Sequence, residues 1–146
     1  MPPRTARAAA AEVASHCVCF RLRKAARAAT QVYDKALEPS GLRVTQFTLM
    51  VALALSEELT LSEVAERLVM DRTTLTANLK PLMRRGLVDS TVDPADRRGR
   101  RLSLTAQGQA TLAAATPIWM AEHARIDEGL PDGTGELLRA GLRTLA

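Results

Sequence analysis

Between residues 60 and 86 the chain carries the signals of two short helices separated by a three-residue turn, and no other stretch restricts its fold so closely. Thr60-Leu61-Ser62-Glu63 has the form of a capping box, in which a threonine hydroxyl meets the free amides of a helix start and a glutamate three residues on reaches back. It predicts a helix over 61–68. Val69-Met70-Asp71 is the turn, and Asp71 is placed to cap a second helix from 72 to about 85, with Leu75, Leu79, Leu82 and Met83 as its buried stripe. Ala65 is small where two steeply crossing helices must approach closely. Gly86 stops the second helix at the position where a positive φ is favoured. This is the layout of a helix-turn-helix.

The flanks read as further helices. Cys19, Leu22, Ala26, Ala29, Tyr33 and Leu37 recur at three- and four-residue steps, predicting one helix over 11–37, about 27 residues and ~40 Å long. That exceeds what one small domain needs for its own core and points to a partner chain. Pro39 and Gly41 end it, and Thr45 is placed to cap the next helix through residue 55. After Gly86, residues 87–92 and 100–104 alternate as two strands around Asp93-Pro94-Ala95-Asp96-Arg97-Arg98-Gly99. Thr105 caps a helix reaching toward residue 130, expected to kink or break at Pro117. Residues 136–145 make a last helix with Leu137, Leu138, Leu142 and Leu145 needing cover. The expected fold is mainly α with a small β-hairpin wing: a winged helix-turn-helix over 42–104 flanked by dimerisation helices over 8–41 and 105–146, all within one domain, 1–146.

Composition narrows the class. The 146 residues are 47% apolar and 25% charged, ordinary for a soluble globular chain. The formal charge of +4 favours a polyanionic partner. Cys17 and Cys19, two residues apart, make no disulfide framework, which suits a reducing cytosol. The longest apolar run, 47–55, is too short to span a membrane, and the N-terminal arginines precede no apolar signal segment. A cytoplasmic location without membrane contact is expected.

The chemistry concentrates on two elements. Opposite its leucines, the second helix of the pair exposes Arg72, Thr73, Thr76, Ala77 and Lys80, with Asn78 at the margin. Arginine can take two acceptors of guanine, asparagine pairs with adenine, and threonine reaches phosphates or a thymine methyl. Arg84 and Arg85 close the same helix. Arg97, Arg98, Arg100 and Arg101 make the hairpin loop cationic, and such a loop beside a recognition helix can place a guanidinium in the minor groove. Duplex DNA is the expected partner.

Several motifs in order then resemble the MarR family: Leu61-Ser62-Glu63-Val64-Ala65, Leu75-Thr76 before Leu82, Arg85-Gly86-Leu87-Val88, Asp93-Pro94-Ala95-Asp96-Arg97-Arg98, and Leu102-Ser103-Leu104-Thr105-Ala106-Gln107-Gly108. The resemblance implies a homodimeric DNA-binding transcriptional regulator, a repressor released by a small molecule or by thiol oxidation, acting on a pseudo-palindromic operator. It makes Arg98 the wing-tip arginine and Asp96 the acidic partner that steadies the loop. Pro81 departs from the commonest pattern, removing one backbone hydrogen bond inside the recognition helix.

The signal implied by the resemblance is either a small aromatic or anionic effector or the oxidation of a thiol. An anionic effector would need a cation where the dimer helices meet the winged region, for which Arg23, Arg27 and Lys24 are candidates. Cys19-Phe20 and Tyr33 resemble the positions of the reactive cysteine and a tyrosine in the organic-hydroperoxide-sensing branch of the family. Cys19 and Tyr33 stand about 21 Å apart along one helix, so they would meet only across a dimer. Trp119 is expected as an anchor of the dimer core. His16, Cys17, Cys19 and His123 suggest no metal site, because the two cysteines point about 200° apart on a helix. No Ser/His/Asp set, carboxylate pair or phosphate loop supports an enzyme or a cofactor. The alternatives are a winged-helix module that binds protein, and a thiol-based peroxide-responsive protein.

Overall fold

Thr60 and Asp71 both cap as their spacing requires. The Thr60 hydroxyl accepts from Glu63 N at 3.2 Å while the Glu63 carboxylate accepts from Thr60 N at 2.7 Å. Asp71 Oδ1 accepts from Thr74 N at 2.8 Å and Oδ2 from the Thr74 hydroxyl at 2.6 Å. In the computed structural model, which describes residues 5–146 and leaves the first four residues of the expected domain outside, the chain runs through seven helices and three strands. These are α1 (Ala6–His16), α2 (Val18–Leu37), a 3-10 turn (Glu38–Ser40), α3 (Val44–Ala54), β1 (Leu59–Thr60), α4 (Leu61–Arg67) and α5 (Arg72–Arg84). Then follow β2 (Val88–Val92), β3 (Arg100–Leu104), α6 (Ala106–Glu128) and α7 (Thr134–Arg143).

The core lies where α3, α4 and α5 meet the sheet and the ends of α2 and α6. Leu37, Leu49, Met50, Val64, Leu75 and Leu82 are fully buried there, each contributing about 1.5–3 kcal/mol by leaving water. Gly86 takes φ +69° and turns the chain from α5 into β2. The turn between α4 and α5 instead uses Val69 at φ +49°, an uncommon place for a branched side chain.

Several elements differ from what the sequence implies. The first long helix is two helices: Cys17 has ψ 111° and separates α1 from α2. Local bonds hold the break. The Ser15 hydroxyl donates to Ala11 O, Arg21 Nε donates to Ser15 O at 3.2 Å, and Cys17 Sγ accepts from Phe20 N at 3.4 Å. The sheet has three strands in the order β1-β3-β2, all antiparallel, because Leu59 and Thr60 pair with Leu102 and Arg101; two residues give no alternation to find. Thr45 lies inside α3 rather than capping it, and Asp34 of α2 accepts from Val44 N at 2.7 Å instead.

Pro117 does not break α6, nor Pro81 α5. The carbonyls that lose a donor belong to Ala113 and Ala77, both on exposed residues where water can replace the missing N–H. Trp119 is half-buried, and its ring stacks within the chain on Phe47 at 6.2 Å and on His123 at 4.9 Å.

Candidate nucleic-acid interface

Burial of Leu75, Leu79 and Leu82 fixes which side of α5 faces out. Arg72, Thr73, Thr76, Ala77 and Lys80 accordingly line one shallow surface concavity. The Thr76 hydroxyl donates to Arg72 O at 2.7 Å, which leaves its oxygen free to accept. Arg72 Nη2 donates to the Ser62 hydroxyl at 2.6 Å, tying the starts of α5 and α4 together. Asp71 beneath them is held below the usual carboxylate range by the hydroxyl and amide of Thr74.

The wing is a closed loop on a short ladder. β2 and β3 pair from Val88 with Leu104 out to Val92 with Arg100. Across the tip, Asp93 N donates to Gly99 O at 3.0 Å and Gly99 N to Asp96 O at 2.8 Å. Asp96 Oδ1 accepts from Arg98 N at 3.0 Å, so the acidic partner of Arg98 acts on its backbone and shapes the loop that carries it.

The ion pair at the wing's root is a different one. Asp93 is 6% exposed and its Oδ1 accepts from Ala95 N and Arg101 Nε, both at 3.0 Å. Those two donors hold the Asp93 carboxyl below the usual range, the Ala95 amide more than the guanidinium. Arg101 thus turns inward as an anchor, apart from the other wing arginines. Arg85 is likewise structural, donating to Gly41 O at 2.6 Å and Ser40 O at 3.3 Å. Asp93-Pro94 reads as a turn in the sequence, and nothing there reveals that its carboxylate is buried.

Arg97, Arg98 and Arg100 remain exposed. Arg98 and Arg100 share one concave notch of about 300 Å³ with Ser62, Arg72 and Gly99. The wing and the start of α5 therefore share one surface, on which these arginines outnumber Asp96, the one carboxylate lining the notch. Among the described residues, Arg72, Lys80, Arg97, Arg98 and Arg100 meet no carboxylate at ion-pair distance. Asn78 departs from its expected role. Its amide is committed inward, accepting from the Thr45 hydroxyl and donating to Thr74 O, each at 2.9 Å.

The candidate sensing residues are scattered. Cys19 is exposed and Cys17 half-buried at the α1–α2 break. Tyr33 points to α6, its hydroxyl 3.4 Å from His123 Nδ1. Burial pushes that hydroxyl above its ordinary pKa, with the Asp127 and Glu122 carboxylates adding to the effect. The tyrosine is thus engaged by its own chain. Arg23 and Arg27 are exposed on α2. A groove of about 260 Å³ opens where α2 meets α3 and the α4–α5 turn, bordered by Thr30, Tyr33, Thr45, Thr48, Leu68 and Met70. Neither arginine borders it.

Residues 40–99 match the description of the MarR family. The transcriptional regulator MosR of M. tuberculosis, solved in complex with DNA, is 40% identical over 89% of this chain and 93% of its own, with a TM-score of 0.79. The chain belongs to the MarR family. A second member, the transcriptional repressor CouR bound to a 23-mer DNA duplex, is 29% identical over 91% of this chain and 94% of its own, with a TM-score of 0.81. The regulator SarZ of Staphylococcus aureus is 30% identical over 93 residues, which span 64% of this chain and 63% of SarZ. The match thus covers less than two thirds of that curated relative. These MarR-family proteins are regulators of transcription, not enzymes.

Proposed function

We propose that this chain is a homodimeric, sequence-specific DNA-binding regulator of transcription, a cytoplasmic repressor. The α5 helix enters the major groove of each half of a pseudo-palindromic operator, and Arg97, Arg98 and Arg100 lie against the adjacent minor groove and phosphates. The observation that carries this reading is the meeting of Arg72, Arg98 and Arg100 around one notch, where three cations face a single carboxylate, Asp96, and none of the three is ion-paired among the described residues. MosR and CouR, each solved on DNA, support it. Arg72, Thr73, Thr76 and Lys80 take the base- and phosphate-facing roles on α5.

Dimerisation rests on apolar side chains that α2, α6 and α7 leave uncovered. Phe20, Met120, Leu137, Leu138 and Leu142 are all exposed, Leu137 by 75%, and a soluble chain covers such a patch with a partner. The helices over 8–41 and 105–146 supply it, with the winged region over 42–104 between them. No helix among the described residues is long and apolar enough to cross a membrane.

Control by a small aromatic effector is favoured by the groove beneath α2, whose lining is mostly apolar and which Tyr33 borders. CouR has been solved with p-coumaroyl-CoA. Arg27, one turn before Thr30, is the cation an anionic substituent would meet first, with Arg23 a further turn away. Thiol oxidation is the second reading, favoured by the exposure of Cys19 and by the Cys17 sulfur capping α2. It does not require Cys19 to reach Tyr33.

The test is fluorescence anisotropy on duplex DNA from upstream of the chain's own coding region, at several salt concentrations. Replacing both Arg97 and Arg98 by alanine should weaken binding broadly and lower the salt slope by about one unit per lost phosphate contact. Equal binding by wild type and the double variant removes the wing role. Sedimentation at micromolar concentration should give about twice the 15.8 kDa chain mass, and a clean monomer removes the dimer.

A further inference from the structure

The α5 helix packs through a narrow line of leucines. Leu75, Leu79 and Leu82 recur at steps of four and three, so they hold the helix down without fixing its rotation closely. Aliphatic contacts have no direction, and a small roll exchanges one set for another at little cost. Rotation matters more to the outer face than to the inner one. Side-chain tips lie about 5–6 Å from a helix axis, so a roll of about 10° moves them by roughly 1 Å. Hydrogen bonds tolerate only about 0.5 Å of spread. Long arginine and lysine side chains can follow such a shift; Thr73 and Thr76 cannot.

One directional contact crosses from the scaffold to the middle of this helix. Thr45, half-buried in the first turn of α3, donates its hydroxyl to Asn78 Oδ1 at 2.9 Å. The same carboxamide donates through Nδ2 to Thr74 O, also at 2.9 Å, one turn back on α5. The side chain is therefore locked at both ends, bonded to α3 on one side and to its own helix backbone on the other. Asparagine is a poor helix former, about 0.7 kcal/mol worse than alanine, so propensity does not account for it here. Its place is between the leucine line and the Thr73–Ala77–Lys80 line, where a fixed bond opposes rolling most directly.

We propose that Thr45 and Asn78 are positioning residues for sequence-specific DNA binding: the hydroxyl carried by α3 sets the rotation of α5, and Asn78 transmits it without touching a base. The inference rests on the reading of α5 as the recognition helix. It separates two kinds of affinity. Recognition by the short side chains of α5 depends on the Thr45–Asn78 bond, whereas phosphate attraction by the flexible cations does not.

The experiment uses the full-length protein and two duplexes. One is the tightest sequence the wild type selects from a randomised library, the other a scrambled duplex of the same composition; both are titrated by anisotropy at several salt concentrations. Thr45→Val replaces the hydroxyl by a methyl of the same shape. It is expected to bind the selected duplex about fivefold to tenfold more weakly, the range of one lost neutral hydrogen bond. Scrambled binding should stay within about twofold and the salt slope should not change. Thr45→Ser, which restores the hydroxyl, should recover the selected-duplex affinity, and this guards against a mere folding defect in the valine variant. Asn78→Ala should match Thr45→Val, and the double variant should be no worse than Asn78→Ala, because both remove one bond.

Three results overturn the proposal. The first is unchanged selected-duplex binding by Thr45→Val together with loss in Asn78→Ala, which makes Asn78 a direct reader of bases. The second is equal loss on both duplexes, and the third is failure of serine to rescue. A wild type that enriches no sequence removes the recognition-helix reading as well, and so is distinct from these three.

Discussion

A single added methyl group at Gly108 tests how α6 is seated on the root of the wing. A Cβ built at this residue would lie 2.0 Å from the carbonyl oxygen and 2.9 Å from the carbonyl carbon of Leu87. Carbon–oxygen contacts of this kind ordinarily begin near 3.3 Å, so the segments must part by more than about 1 Å. The obstacle is backbone and cannot rotate away. Overpacking alone costs about 1–3 kcal/mol. The displacement also strains three short bonds at the joint: Thr105 N to Leu87 O at 3.1 Å, the Thr105 hydroxyl to Gly86 O at 2.6 Å, and Gly108 N to Thr105 Oγ1 at 2.9 Å. Gly108→Ala is therefore expected to destabilise by roughly 3 kcal/mol, lowering the melting temperature by about 6–12 °C at about 2–4 °C per kcal/mol. Gly141→Ala is the matched contrast. A Cβ there meets nothing within 4 Å, and the exchange of glycine for alanine in α7 should stabilise by up to about 1 kcal/mol. Circular-dichroism melts at one fixed protein concentration decide the matter. If Gly108→Ala melts within about 2 °C of wild type, or both variants shift in the same direction, the close seating of α6 on Leu87 is wrong.

Two further outcomes follow from local chemistry. The Asp93 carboxyl is lowered in the folded protein, so its stabilisation is present above the unfolded value of about 3.9 and is lost as pH falls through the lower folded value. Asp93→Asn should flatten the fall of melting temperature with acid below about pH 4, and a curve parallel to wild type refutes the wing-root pair. Val69 is 76% exposed and sits at φ +49°, a conformation that costs an ordinary side chain about 1–2 kcal/mol and that asparagine tolerates. Val69→Asn should raise the melting temperature by about 2–4 °C, whereas a lower value shows that the valine is not strained.

Local chemistry made much of this protein legible along the chain itself. The Thr60–Glu63 box, the Asp71 cap, Gly86 and the Thr105 cap are contacts within three or four residues, or a single residue's φ preference, so spacing alone implies them. The same holds for the outward face of α5, since burying Leu75, Leu79 and Leu82 leaves only one way for Arg72, Thr73, Thr76 and Lys80 to point. Tertiary structure decided what joins distant segments. Which wing arginine turns inward depends on Asp93 lying buried beside Arg101, and both look like solvated loop charges in sequence. Strand β1 exists only because β3 offers it an edge. Trp119 stacks within the chain because α6 crosses Phe47 of α3. Asn78 turns toward Thr45, 33 positions earlier, rather than outward. In each case the deciding partner is a long-range neighbour, and periodicity reports which face of an element is buried but not which atom it is buried against.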